Sequence, residues 1–161
     1  MVMNAPTSVF DNPESLFEGA SFDQALMQFH NTNKLFLLSR SPDAKRRLGR
    51  LIAEGFDNGD RAETVALAYM TEAQKSLNVL TKSGPIAHAM ERVLGKLSHN
   101  LSKMERQEVL EVIHDFRQGL LPRSAPLTLL QHHIRRCNLD TPTHRRFMSP
   151  IPLSLGLMAR V

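Results

Sequence analysis

Apolar residues recur along most of the chain at the three- and four-residue spacing of helices that bury one face. The first stripe starts at Phe22, and from Leu35 to Leu38 the helix is apolar on all sides, so we expect it to be largely buried. Asn33 lies within this stripe and needs a hydrogen-bond partner there. No alternating polar and apolar run of strand length occurs. The pattern predicts an all-α protein, a single compact domain of about six helices with an extended, proline-containing C-terminal tail.

Local capping signals mark the ends of these helices. The predicted starts combine a capping side chain, a proline or an acid in the first turn: Ser41-Pro42-Asp43, Asp60 with Glu63, Pro85, and Ser102 with Glu105. We expect Gly55 and Gly119 to end two of the helices, because glycine adopts the left-handed conformation of a helix C-terminus most readily.

The last predicted helix follows a turn that Pro122 and Pro126 should fix. Its inner stripe comprises Leu127, Leu130, Ile134 and Cys137. Beyond Asn138, the three prolines of TPTHRRFMSPIPLSLGL predict a largely extended segment. Its apolar side chains are expected to pack over the helices: Phe147, Ile151, Leu153, Leu155 and Leu157.

Charge divides the chain into two unlike ends. Residues 1–33 contain four acids and no Lys or Arg, whereas residues 117–161 contain seven Arg and one Asp. We interpret residues 1–20 as a partly ordered acidic extension and residues 21–161 as the single helical domain. A basic end of this kind is typical of proteins that face a polyanion, and the alternative is a solvated face that keeps the protein soluble.

Several classes of site are disfavoured by the composition. Cys137 is the only cysteine, so a disulfide, a four-cysteine zinc site and a cysteine-held iron–sulfur cluster cannot form within one chain. The start of the chain does not read as a signal peptide, and no stretch approaches the length of a transmembrane helix, so we expect a cytoplasmic protein without membrane contact. No phosphate-binding loop, dinucleotide fingerprint or nucleophile motif occurs. We therefore predict no enzymatic activity, cofactor or metal.

The histidines and the cysteine are better explained by packing than by chemistry. No two histidines have the spacing that brings a pair to one metal ion on a helix, and His132 and His133 are adjacent. His30 flanks the first apolar stripe, where a hydrogen-bonded histidine at the edge of the core is expected. Cys137 lies on an inner stripe and is expected to be buried as a small hydrophobic residue.

The basic clusters are the stronger lead. On the last predicted helix His132, Arg135 and Arg136 should project away from the leucines, with His133 at the border. Four other cations are close to this helix in sequence: Arg123, His144, Arg145 and Arg146. A second group would join them if folding brings its helix beside this one: Lys45, Arg46, Arg47 and Arg50. The guanidinium fork suits phosphate. Aromatic residues are few, so shape and phosphate contacts would dominate over base stacking.

The chain also resembles the YbgA-like domain of unknown function over residues 25–160. The matching stretches are FHNTNKLFLLSRSP, LGRL, LGKLSHNLS, ERQEVLEVIHDFRQGLLPRSAPLTLLQHHIRR and RFMSPIP. Two departures stand out. Arg92, in HAMER, occupies a position where the family usually has histidine, and the desulfidase domain to which some members are fused is missing, so its catalysis cannot be transferred.

In those fused enzymes, which remove sulfur from 4-thiouridine in tRNA, this domain is thought to hold the tRNA. The resemblance therefore implies a non-catalytic RNA-binding module, with tRNA as the ligand, acting alone or beside a separate desulfidase. The candidate RNA-binding residues, from the resemblance and the charge pattern together, are Arg117, Arg123, His132, His133, Arg135, Arg136, Arg145, Arg146, Lys45, Arg46, Arg50, Lys34 and His30.

Two other interpretations remain open. A protein-interaction module would use an exposed apolar patch to bind a partner enzyme or to form a homodimer. An unrecognised enzyme would need a pocket in which His30, His132 or His133 meets a carboxylate within hydrogen-bond reach.

Overall fold

The computed structural model describes residues 22–78 and 80–148, and all the regular structure in these ranges is helical. Its helices, in chain order, are α1 (Phe22–Arg40), α2 (Pro42–Asp57), α3 (Ala62–Leu77), α4 (Ser83–Leu97), α5 (Lys103–Arg117), α6 (Ser124–Arg136) and α7 (Pro142–Met148). The predicted all-α class is confirmed. The predictions for residues 1–20 and for the tail residues Ile151, Leu153, Leu155 and Leu157 lie outside the described residues. None of the described helices combines the length and the apolar character needed to cross a membrane.

Helix α1 lies between two hydrophobic cores and contributes to both. Leu37 belongs to the core shared with α2 and α3, which includes Leu48 and Tyr69. Leu35 and Leu38 belong to the second core, which is built around α4 and includes residues of α5, α6 and α7. The turn that is apolar on all sides is therefore buried on opposite sides by different helices, as its sequence predicts.

Asn33, the polar residue of the buried stripe, has both of its hydrogen-bonding functions satisfied. Its Nδ2 donates to the carbonyl oxygen of Phe29 at 2.9 Å, and its Oδ1 accepts from Nε of Arg146 on α7 at 3.1 Å. The second bond connects α1 to α7 across 113 residues of chain. The bond therefore holds α7 against α1 at Arg146, one of the basic residues of α7.

The capping predictions are confirmed at some helix ends. The hydroxyl of Ser41 accepts from the backbone N–H of Ala44 at the start of α2, and Ser102 and Glu105 form a complete capping box at the start of α5. Gly119 ends α5 in the left-handed conformation, with φ of +78°. The N–H groups of Gly119 and Leu120 return to the carbonyls of Phe116 and Asp115, as in a Schellman motif.

Two other boundary predictions are wrong. The residue that ends α2 in the left-handed conformation is Gly59, with φ of +70°, whereas Gly55 is buried inside the helix against Val65 of α3. The predicted capping box of Asp60 and Glu63 is absent because α3 begins one residue later, behind Arg61, which makes no side-chain capping bond. The N–H of Asp60 instead closes the end of α2 by donating to the carbonyl of Gly55.

The segment after Asn138 was expected to be largely extended, and over Pro142–Met148 this expectation is wrong. Pro142 occupies the first turn of α7, where a proline starts a helix instead of breaking one. The hydroxyl of Thr141 accepts from the N–H of His144 and so caps the helix. Burial of Phe147 and Met148 in the core around α4 stabilises this short helix, which packs against α1.

Candidate nucleic-acid interface

The outward face of α6 carries the cations that its periodicity predicts. Leu130 and Ile134 are buried, and His132, Arg135 and Arg136 are exposed. The partly buried Cys137 packs against the core, as expected for a small apolar residue. The side chain of Arg135, which is exposed, makes no ion pair or hydrogen bond within the described part of the chain, so its guanidinium is available to a ligand.

His133 does not share this face. Its side chain is 4% exposed, and neither ring nitrogen has a hydrogen-bond partner among the described residues. It was expected at the border of the basic face, but it lies three residues after Leu130 and four before Cys137, which places it on the inner side of α6. Burial lowers the pKa of His133, and the charges of Arg136 and His132 lower it further. A direct contact of His133 with RNA is therefore not expected.

Several of the predicted cations are already paired with carboxylates. Arg117 binds Glu91 at 2.6 Å, Arg145 binds Asp140 at 3.0 Å, and the remaining pairs are Arg46 with Asp43 and Arg136 with Glu105. All of these pairs are exposed or partly exposed to solvent. Exposed ion pairs contribute only about 0–1 kcal/mol each. Their arginines are therefore able to exchange a carboxylate for a phosphate at small cost.

A second basic surface lies between α1, α2 and α4. Four cations line this groove: Lys34, Lys45, Arg92 and Lys96. Its single lining carboxylate, Glu91, is the partner of Arg117. The groove has a volume of about 530 Å³, within the range of ligand sites in proteins. We call this groove the α4 groove; it comprises the four cations and Glu91, with Arg117 as the ion-pair partner of Glu91.

Sequence reasoning missed half of the lysine and arginine side chains that line the α4 groove. Arg92 and Lys96 are exposed on α4 and lie four residues apart, so they are neighbours on one face. Like charges at this spacing destabilise a helix slightly. This unfavourable spacing of two cations could have indicated a binding surface on α4. The apolar stripe of α4, however, mainly predicts a core helix.

His30 lies at the edge of the core, as expected, and its partner is a tyrosine. Its Nδ1 is 3.0 Å from the hydroxyl of Tyr69, and the two rings meet edge to face. Burial lowers the pKa of His30, and the nearby charges of Lys45 and Lys34 lower it further. His30 is therefore a neutral neighbour of the α4 groove at physiological pH instead of one of its cations.

The pocket required for histidine catalysis is not formed by the three candidate histidines. In the described structure His30 bonds to Tyr69, His132 makes an edge-to-face contact with His133 at 5.3 Å, and none of the three pairs with a carboxylate. The structure also places no group of three or more His, Cys, Asp or Glu side chains where they could share a metal ion, within residues 22–78 and 80–148.

The remaining candidates occupy different positions. Arg50 is exposed on α2 without a described partner. Arg123 and Arg146 are partly buried, and Arg146 is held by Asn33. Arg135 lines a shallow site on α6 with His132 and Arg136, and a cavity of about 280 Å³ that includes Arg145 of α7. The α6–α7 surface formed by these two sites shares no lining residue with the α4 groove.

These features describe an all-α protein whose candidate site is a cation-rich surface without a recognised catalytic group. The chain belongs to the family described as Protein of unknown function (DUF1722), whose model matches residues 34–152, well over half of the sequence. No curated protein and no solved structure matches the chain. The match includes the α4 groove and the α6–α7 surface.

Proposed function

We propose that this protein is a non-catalytic RNA-binding module, with tRNA as its ligand, and that the α4 groove is the main contact. The resemblance to YbgA-like domains suggests tRNA and suggests that the module acts alone or beside a separately encoded thiouridine desulfidase. The observation that carries the proposal is the charge of the groove, in which four cations surround one carboxylate that is already paired.

Electrostatics favours a polyanion over a small anion in this groove. Lys34 of α1, Lys45 of α2 and the α4 pair of Arg92 and Lys96 approach from three helices, so they offer several separate contacts along a backbone. Each phosphate contact releases condensed counterions from the nucleic acid, and this release provides most of the affinity of sequence-independent binding. The α6–α7 surface supplies further cations, and no phenylalanine or tyrosine lines its α6 site among the described residues. This composition favours recognition of shape and phosphates over stacking on bases.

The test is fluorescence anisotropy with labelled tRNA across a salt series. With about six phosphate contacts, log affinity should fall with log salt concentration at a slope of roughly −4 to −5. Replacing Arg92 and Lys96 together by Ala should weaken binding about tenfold at 0.1 M salt and make the slope shallower by one to two. Failure to detect micromolar binding at low salt would refute the proposal.

A matched control separates a specific groove from a general effect of net charge. Lys103 and Arg106 are exposed on α5, line neither basic surface and have no described ion pair. Replacing this pair by Ala removes the same charge from another face, so affinity should change much less than in the Arg92 and Lys96 variant. Equal losses would mean that the α4 groove is not the contact. A dimer or protein complex that persists on size-exclusion chromatography in 1 M salt would indicate the protein-interaction alternative.

A further inference from the structure

Two arginines from different helices lie against one phenylalanine, and a third arginine lies near one of them, outside both surfaces described above. Arg40 and Phe36 lie on α1, Arg146 on α7, and Arg123 directly before α6. The guanidinium carbons of Arg40 and Arg146 lie 5.4 and 5.2 Å from the centre of the Phe36 ring. Arg123 is close enough to Arg40 for their charges to interact. We call these three residues the arginine triad.

We propose that the arginine triad is a binding site for a phosphate group. The proposal is independent of the α4 groove, since it concerns different residues and a free phosphate would satisfy it. Three properties of the triad in the described structure favour this role: no carboxylate neutralises its charges, one of its donors is buried without an acceptor, and neutral groups hold its geometry.

The triad differs from the paired arginines described above in lacking a carboxylate partner, and from the exposed unpaired Arg50 and Arg135 in being partly buried. Arg46, Arg117, Arg136 and Arg145 each have a carboxylate partner. Within the described residues, no member of the triad has one, although all three are partly buried. Burial lowers the pKa of each guanidinium, and for Arg123 the charge of Arg40 adds to this effect. Arginine nevertheless stays protonated, so within the described residues the triad holds three charges without a carboxylate partner, which a bound anion would stabilise.

Arg123 contributes the second property. Its Nε is buried and has no hydrogen-bond acceptor in the described structure. A buried donor without an acceptor destabilises the folded state, and more so when it is charged. An oxygen of a bound anion between the three side chains would satisfy this donor, which makes Arg123 the residue whose environment improves most on binding.

Neutral groups hold the other two arginines in place without consuming their charge. Nη1 of Arg40 donates to the hydroxyl of Thr81 at 2.7 Å, and Nε of Arg146 donates to Oδ1 of Asn33 at 3.1 Å. The face of the Phe36 ring attracts both guanidinium groups. The triad is therefore oriented before a ligand arrives, which reduces the entropy lost on binding.

The chemistry of three converging guanidinium groups points to phosphate over carboxylate. One carboxylate offers two oxygens in a plane and is satisfied by a single arginine fork. A phosphate group offers oxygens in several directions and up to two negative charges, so it can accept from three arginines that arrive from different helices. The phosphate source is either free inorganic phosphate or a phosphate of RNA, and competition between the two distinguishes them.

Binding of inorganic phosphate is measured directly, by equilibrium dialysis with radiolabelled phosphate at constant ionic strength. We expect saturable binding of one phosphate per chain. Arg123→Gln and Arg146→Gln should each weaken it by about tenfold or more, because each removes a charge-assisted contact. Arg106→Gln removes an exposed arginine of α5 that lines neither basic surface and should leave binding within twofold. Absence of binding at 10 mM phosphate, or equal loss in the Arg106→Gln control, would overturn the proposal.

Two further measurements keep the test independent of folding and identify the source. Arg123→Lys retains the charge and loses the fork, so it should fold normally, as judged by circular dichroism, and still bind at least fivefold more weakly. Full binding by a folded Arg123→Lys variant would contradict the role of the fork. Phosphate that displaces labelled tRNA beyond the effect of matched chloride assigns the triad to RNA phosphates, and phosphate that binds without displacing tRNA assigns it to free phosphate. In either case phosphate binding is unaffected by Arg92→Ala, which separates this site from the α4 groove.

Discussion

Gly55 of α2 packs closely against Val65 of α3, and this contact allows the packing of the fold to be tested quantitatively. A Cβ at position 55 would lie 2.6 Å from Cγ2 and 3.1 Å from Cγ1 of Val65. Both residues are buried, and Val65 is a β-branched residue within a helix, where its χ1 angle has one strongly preferred value. The valine cannot turn away, so Gly55→Ala must push α2 and α3 apart.

Two opposing effects set the size of the change. Replacing glycine by alanine inside a helix stabilises it by about 1 kcal/mol. Forcing an extra carbon into a packed core costs about 1–3 kcal/mol. Gly95 in α4 isolates the first effect, because it is exposed and a Cβ there would have no neighbour within 4 Å. We expect Gly95→Ala to stabilise by about 0.5–1 kcal/mol and Gly55→Ala to be about 1–3 kcal/mol less stable than Gly95→Ala.

The assay is urea unfolding followed by circular dichroism, with the unfolding free energies of both variants compared at equal slope. Val65→Ala combined with Gly55→Ala removes the methyl groups that would collide, so the double variant should recover the loss that packing causes. Equal stabilisation by Gly55→Ala and Gly95→Ala would refute the close approach of α2 and α3. A double variant whose two effects simply add would refute the role of Val65.

Two other features of the described structure can be tested by unfolding experiments. Ser102→Ala should destabilise the protein by about 1 kcal/mol, because it removes one half of the capping box of α5, and an unchanged urea midpoint would contradict that role. His133 has a folded-state pKa below that of the unfolded chain, so the unfolded state binds the extra proton and stability falls as the pH drops below about 6.5. His133→Met places an apolar side chain that cannot titrate at this position. Between pH 7.5 and pH 5 the melting temperature of this variant should fall less than that of the wild type. The same pH dependence in both proteins would show that His133 does not titrate in this range.

Most of the secondary structure was readable from the sequence because helices are decided largely by neighbours within one or two turns. Ser102 lies three residues before Glu105, and the side chain of each residue accepts a hydrogen bond from the backbone N–H of the other. Gly119 supplies the left-handed residue that ends α5. The apolar turn from Leu35 to Leu38 likewise predicted a largely buried helix, and different helices cover its opposite sides. Thr141 and Pro142 also carried a helix-start signal, which the density of prolines nearby obscured.

The arrangement of charge, in contrast, was decided by the packing of helices that are far apart in sequence. Arg117 is neutralised by Glu91 across 26 residues, and Arg136 by Glu105 across 31. Helical periodicity states which side of its own helix an arginine occupies, but it contains no information about which carboxylate the next helix brings near. The same limit applies to Gly55, whose buried position depends on Val65 of α3.

The sequence by itself determined that this chain forms amphipathic helices with a basic C-terminal half. Only the tertiary structure decided which cations are neutralised and which remain free, since α1, α2 and α4 must pack before Lys34 and Arg92 face one groove. It also placed Arg40 and Arg146, more than 100 positions apart, against the ring of Phe36, with Arg123 near Arg40. The physical reason is that helix formation depends on short-range backbone bonds, whereas an anion site depends on the sum of charges that long-range packing brings together.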